Sequence, residues 1–96
     1  MELLNLTRYY PEGATKSVQF FRSEKGEDFY ESMSLFTKRY KLCVRPADGV
    51  IRAMHEDVSR LYPAGFNVVE VDELPEGFAV GKWRYIDGEI TMLTKD

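Results

Sequence analysis

The chain has 96 residues, which is the length of one small domain. Its composition is 44% hydrophobic, 14% aromatic and 30% charged, as in a folded protein rather than a disordered tail. It has a single histidine, His55, and a single cysteine, Cys43. These counts exclude a zinc site built from Cys and His ligands and a disulfide within the chain. We therefore expect a reduced domain without a metal or a cofactor.

The net charge of −3 is distributed unevenly along the chain. Residues 1–66 carry ten basic and nine acidic side chains, whereas residues 67–96 carry three basic and seven acidic ones. Because a nucleic-acid partner usually requires a basic excess, we expect none here. The first residues lack the basic and apolar runs of a secretory signal peptide, and no apolar stretch has the length of a membrane span. A reducing cytoplasm is the expected location.

The expected organisation is one domain over 1–96, with an N-terminal region (1–37) and a β-rich region (38–96). Residues 17–22 are predicted to form a strand because aromatic and β-branched residues are frequent there. Residues 27–38 have two interpretations. Their apolar residues recur at helical spacing, but the preceding Lys25–Gly26 pair could instead turn a hairpin. The residues themselves leave both open.

The sequence Pro46-Ala47-Asp48-Gly49 predicts a four-residue turn between two strands. In that register Arg45 pairs with Val50 and Leu42 with Ala53, so that His55 falls beyond the paired segment. A further turn is predicted at residues 62–65.

A strand is predicted over residues 66–72, and a loop at 74–78 leads to the last hairpin. Asp87-Gly88 predicts a type I′ turn, in which Trp83 pairs with Met92 and Tyr85 with Ile90. The predicted fold class is therefore mainly β, an antiparallel β-meander of short hairpins, with a small α+β fold as the alternative.

His55 and Cys43 are the residues from which a nucleophilic site could be built, with Glu56 or Asp57 as the orienting carboxylate. The predicted register keeps His55 and Cys43 apart, so we expect no catalytic site and no enzyme. The acidic cluster from Glu70 to Glu76 lacks a calcium-loop pattern and is interpreted as the solvated face of an edge strand. The basic residues near 38–45 are interpreted as a solvated β face.

The thirteen aromatic residues exceed what a small meander can bury completely. Tyr, Trp and Phe are common in protein interfaces, and those beside the Pro-Gly loops are the best candidates for exposure. We therefore predict a protein-binding module. The proposed contact residues are Tyr62, Phe66, Phe78, Trp83 and Tyr85.

Two segments resemble those of a known group of proteins. Residues 69–78 read Val-Glu-Val-Asp-Glu-Leu-Pro-Glu-Gly-Phe, and residues 81–90 read Gly-Lys-Trp-Arg-Tyr-Ile-Asp-Gly-Glu-Ile. With the similar opening at residues 20–31, they resemble tail-fibre-associated and tail-fibre assembly proteins of tailed bacteriophages. The resemblance covers about residues 18–91 and favours the hairpin over the helix in the N-terminal third.

The resemblance implies a non-enzymatic phage protein that binds a tail or tail-fibre component, as an assembly factor or as a minor virion part. It places the protein in the host cytoplasm or the virion. The acidic second half would then suit a basic partner. The alternative is a phage-encoded inhibitor that binds a host defence or transcription protein.

Overall fold

The computed structural model describes residues 1–13 and 19–93. Short strands dominate the described residues, and the mainly β, antiparallel fold class is confirmed. The strands are β1 Glu2–Leu3, β2 Thr7–Tyr9, β3 Phe20–Arg22, β4 Tyr40–Val44, β5 Ile51–His55, β6 Asn67–Val71, β7 Trp83–Ile86 and β8 Glu89–Met92. The helical elements are α1 Phe29–Ser32 and two 3₁₀ helices, Met33–Leu35 and Val58–Arg60. Residues 17 and 18 of the predicted first strand lie outside the described residues.

A four-stranded antiparallel sheet has the order β1-β6-β4-β5. The sequential order of a meander is therefore not kept, because β6 pairs with β4 rather than with β5. Leu42 of β4 lies opposite Val69 of β6, and Cys43 lies opposite Val68. All four of these side chains are buried, so both strands need cover on both faces.

Each face of this sheet carries its own hydrophobic cluster, since neighbouring side chains of a strand point to opposite faces. On one face, Cys43 packs with Phe21 and Phe29 from the N-terminal third, forming the first cluster. On the other face, Leu42 packs with Trp83 of the last hairpin, forming the second cluster. The sheet is thus a middle layer between the N-terminal region and the β7–β8 hairpin.

The turn at residues 46–49 forms as predicted, and the backbone N–H of Arg45 donates to the Val50 carbonyl at 2.8 Å. The predicted register is correct for Val44, which lies opposite Ile51, and wrong beyond that pair. A β-bulge lies between Val44 and Cys43, so that Ala53 lies opposite Cys43 and Leu42 lies opposite Met54.

The bulge leaves Arg52 exposed and turns Met54 toward the second cluster, while Ala53 packs on the first. A regular hairpin would have placed the smaller Ala53 opposite Leu42. Because the bulge shifts the register by one residue, His55 lies within β5 opposite Lys41 rather than beyond the paired segment.

Residues 22–35 combine the two interpretations left open by the sequence. The Ser23 N–H donates to the Glu27 carbonyl at 2.8 Å, which closes a tight turn as in the hairpin interpretation. The chain then enters a helix because the Asp28 carboxylate accepts a hydrogen bond from the Glu31 N–H at 3.0 Å. That helix is only one turn long, and it continues as a 3₁₀ helix to Leu35 rather than to residue 38.

The last hairpin has the predicted register, with Trp83 opposite Met92 and Tyr85 opposite Ile90. Asp87 and Gly88 adopt φ angles of 51° and 82°, as a type I′ turn requires. The strand predicted over residues 66–72 is also confirmed, as β6. Within residues 1–13 and 19–93, no helix combines the length and apolar character needed to span a membrane.

Candidate protein-binding surfaces

The five predicted contact residues do not lie on one surface. Tyr62 is 61% exposed, and its ring meets Phe21 edge-on with centroids 5.5 Å apart. Phe66 is half-buried and packs against the first cluster. These two aromatics therefore lie on the side of the sheet covered by the N-terminal region.

The remaining three aromatics lie around the second cluster, on the opposite face. Trp83 is only 8% exposed, and the Phe78 ring lies 6.3 Å from it between centroids. The Tyr85 hydroxyl donates to Glu2 Oε2 at 2.8 Å, and burial together with this bond raises the pKa of Tyr85 to about 12. These side chains hold the β7–β8 hairpin against the sheet, and their contact with a partner stays a prediction.

Tyr62 forms one wall of an open groove of about 340 Å³, here called the aromatic groove. Tyr30, which is 43% exposed, forms part of its lining. The other lining residues in the described part of the chain are Gln19, Phe21, Phe29, Ser59, Leu61 and Pro63. The groove thus presents two exposed phenol rings beside a buried apolar floor.

Sequence reasoning missed Tyr30 as a contact residue. The tight turn after β3 brings the start of α1 back beside that strand, so that Tyr30 meets Phe20 edge-on at 5.9 Å between centroids. Phe20 in turn meets Tyr9 at 6.1 Å, and the Arg22 guanidinium lies 5.0 Å from the centre of the Tyr9 ring. The sequence signal for an exposed ring at Tyr30 was the presence of two adjacent aromatic pairs, Phe20-Phe21 and Phe29-Tyr30. In each pair one ring lies in the core and the other points outward.

Tyr9, Phe20 and Tyr30 form a row of aromatic rings, and the Tyr9 hydroxyl connects this row to the start of α1. It donates a hydrogen bond to the Asp28 carboxylate, and this bond is the main cause that raises the pKa of Tyr9. Asp28 is also the N-cap of α1. A single carboxylate therefore positions both the helix and the row of rings beside it.

Cys43 is fully buried, and burial raises the pKa of its thiol to about 11. A thiol with that pKa stays protonated near neutral pH and is a poor nucleophile. His55 is exposed, and its Nδ1 accepts a hydrogen bond from the Asp57 N–H at 2.8 Å. The structure shows no hydrogen bond between His55 and Cys43 among the described residues.

The prediction that Glu70 lies on a solvated edge strand is wrong. Glu70 is only 6% exposed and lies in β6, which is an interior strand between β1 and β4. Its carboxylate accepts a hydrogen bond from the N–H of Thr37, three residues before β4 begins, at 3.0 Å. Asp72 and Glu73 are exposed, as predicted.

The basic residues near position 40 are partly paired. Arg39 Nε donates to Glu56 Oε1 at 2.6 Å, and Lys41 Nζ donates to the Glu56 carbonyl at 2.7 Å. Among residues 1–13 and 19–93, no group of three or more His, Cys, Asp or Glu side chains is arranged to hold a metal ion.

The layered sheet and the aromatic groove define a small, mainly β protein with an exposed aromatic surface, and aromatic residues are enriched in protein interfaces. No protein-family model matches the chain. Curated phage proteins do match it. The chain is 31% identical over 81 residues to "Tail fiber assembly protein U'" of Escherichia phage Mu. It is 34% identical over 71 residues to "Probable tail fiber assembly protein" of Escherichia phage P2, and 32% identical over 71 residues to "Tail fiber assembly protein U" of phage Mu.

These relatives confirm the resemblance seen in the sequence. The matches cover 81% of this chain for the first relative and 71% for the other two. They cover 46% of the first relative and 41% of the others, so the chain spans under half the length of the curated relatives it matches.

Proposed function

We propose that this chain takes part in the assembly of phage tail fibres, by binding a tail-fibre component through the aromatic groove. The observation that carries the proposal is that three relatives from two phages are named as tail fibre assembly proteins, the phage P2 relative as a probable one. The proposed role is that of a binding protein rather than an enzyme. It acts in the host cytoplasm or remains in the virion.

The aromatic groove supports the binding part of this proposal. Tyr30 and Tyr62 combine large apolar rings with hydroxyl groups, and such side chains carry much of the energy of protein interfaces. Phe21 and Phe29 are almost fully buried beneath them and hold the groove open before a partner arrives. A preformed groove reduces the ordering cost of binding.

The state of the two candidate catalytic residues supports a role without catalysis. The Cys43 thiol is buried and has a pKa of about 11, which is unfavourable for a nucleophile. His55 Nδ1 is already occupied by a backbone N–H. Neither residue lines the aromatic groove.

Co-expression with the tail-fibre protein of the same phage tests the proposal. We expect the chain to co-purify with the fibre protein and to raise its soluble yield. The double variant Tyr30→Ala/Tyr62→Ala should weaken binding by at least about tenfold, since two interface aromatics are lost. The matched control is Tyr10→Ala, because Tyr10 is 78% exposed but does not line the groove.

Recovery of a host enzyme without the fibre protein would contradict the proposal and favour the inhibitor alternative. Equal loss of fibre binding in Tyr10→Ala and in the double variant would contradict the assignment of the groove. Circular dichroism of each variant separates loss of binding from loss of folding, because the β-sheet signal must remain.

A further inference from the structure

Two open grooves adjoin at the tip of the β7–β8 hairpin, on the far side of the sheet from the aromatic groove. The first, of about 520 Å³, lies between the turn at residues 46–49, the hairpin tip and β1. The second, of about 490 Å³, lies on the other side of the hairpin tip. Gly88 lines both grooves. We call these two grooves together the acidic tip.

Carboxylates outnumber cations in the acidic tip. The acidic lining residues are Glu2, Asp48, Asp72, Glu73 and Asp87. The basic lining residues are Arg45 and Lys38, and Arg45 Nε already donates to Asp48 Oδ1 at 2.9 Å. Among the described residues, the lining of the acidic tip therefore carries three more carboxylates than cations.

The floor of the first groove is apolar. Val44, Val69 and Ile86 line it between the acidic residues. A lysine or arginine side chain fits this combination, because its aliphatic stem packs on apolar surface while its charged end stays near carboxylates. An acidic or purely apolar segment would leave one of the two features unmatched.

The groove is also held in shape by backbone contacts between two turns. The Tyr85 N–H donates to the Gly49 carbonyl at 2.7 Å, and a Cβ on Gly49 would lie 2.8 Å from the Tyr85 carbonyl oxygen. The two hairpin ends are therefore as close as their backbones allow. This close contact presents the carboxylates of Asp48 and Asp87 on a fixed frame.

We propose that the acidic tip binds a segment of the partner that carries lysine or arginine residues. The inference deepens the proposed function, since it rests on a tail-fibre component being that partner. It assigns this component a basic segment and a second contact, separate from the aromatic groove. Complementary charge would guide the encounter and set the orientation of the partner.

Fluorescence anisotropy with labelled hexalysine and hexaglutamate tests the acidic tip directly. We expect hexalysine to bind, with a dissociation constant that rises about tenfold between about 50 mM and about 300 mM salt, and hexaglutamate not to bind. The variant Asp72→Asn/Asp87→Asn should weaken hexalysine binding about fivefold. Asparagine is suited to position 87 because it tolerates a positive φ, which is 51° here.

The matched control is Glu12→Gln/Glu31→Gln, which changes the net charge by the same amount at exposed positions outside both grooves. It should change hexalysine binding less than about twofold, since local rather than global charge is responsible. Equal effects of the two variants would overturn the proposal, and so would binding of hexaglutamate. Dimerisation in analytical ultracentrifugation that Asp72→Asn/Asp87→Asn abolishes would also overturn it, by showing a second copy as the occupant.

The tail-fibre protein itself separates this inference from the proposed function. If it binds the wild-type chain and the Asp72→Asn/Asp87→Asn variant equally well, the inference about the acidic tip is wrong and the proposed function stands. If hexalysine binds as expected and the fibre protein does not bind at all, the proposed function is wrong and the acidic tip has a different basic partner. A parallel loss of both interactions in this variant supports the proposal.

Discussion

Replacing Gly49 with alanine should destabilise the protein more than the same change at any open glycine. Gly49 has a φ of 77°, and its added Cβ would lie 2.8 Å from the Tyr85 carbonyl oxygen and 2.9 Å from Ile86 Cγ1. The carbonyl oxygen belongs to the backbone of β7 and cannot rotate away. Gly65 is the matched control, because its φ is 80° but no atom lies within 4 Å of the added Cβ.

The two variants share one cost and differ in another. A non-glycine residue at positive φ lowers the free energy of unfolding by about 1 kcal/mol, and this cost applies at both positions. Overpacking costs about 1–3 kcal/mol more, and only Gly49 incurs it. We therefore expect Gly65→Ala to lose about 1 kcal/mol of unfolding free energy and Gly49→Ala about 2–4 kcal/mol. In a domain of this size the difference lowers Tm by at least about 4 °C.

Urea unfolding followed by tryptophan fluorescence measures these losses. Trp83 is the single tryptophan and is buried in the second cluster, next to the contact that the substitution disturbs. Thermal unfolding followed by circular dichroism gives the corresponding Tm values. Equal free-energy losses for Gly49→Ala and Gly65→Ala would refute the reasoning, because they would show that the two hairpin ends are not in close contact.

Three further outcomes follow from single side chains. Cys43 should react with Ellman's reagent at pH 8 only as fast as the protein unfolds, because its thiol is buried with a pKa of about 11; rapid reaction without urea would contradict its placement. The pKa of Tyr85 is raised to about 12, so the stability contributed by its protonated hydroxyl is complete below about pH 10 and is lost as the pH rises toward 12. The variant Tyr85→Phe should remove that part of the pH dependence of the unfolding free energy in urea. Glu70→Ala should lower the free energy of unfolding by about 1–3 kcal/mol, because the Thr37 N–H loses its acceptor, and Glu70→Gln should lower it less. Equal losses in the two variants would contradict this role of Glu70.

Local chemistry explains which parts of the fold could be predicted from the sequence. The pair Asp87-Gly88 determines the type of its turn, and the turn determines the register of the strands on either side. Asp28 determines the start of α1 by accepting a backbone hydrogen bond three residues ahead. In both cases the decisive contact is made within a few residues, so the sequence contains it.

The bulge near Arg52 and the pairing of β6 with β4 could not be predicted in this way. Met54, which lies opposite Leu42, packs against the second cluster together with residues of the β7–β8 hairpin, a contact between segments far apart in the chain. The burial of Glu70 likewise depends on β1 covering the outer edge of β6, and β1 is more than sixty residues away in the chain. These are contacts between distant segments, and their packing selects one arrangement among several with equal local preference.

The candidate surfaces also combine features that the local sequence specifies with features that depend on packing between distant segments. The sequence by itself determined a β-rich domain without an intrachain disulfide, with an excess of aromatic residues, an acidic second half and a resemblance to phage tail-fibre assembly proteins. Only the tertiary structure decided that Trp83 packs in the core while Tyr30 and Tyr62 share a groove. It also decided that five carboxylates line the two grooves of the acidic tip. The physical reason is that exposure and shared location arise from packing between distant elements, whereas composition and turn type belong to the local chain.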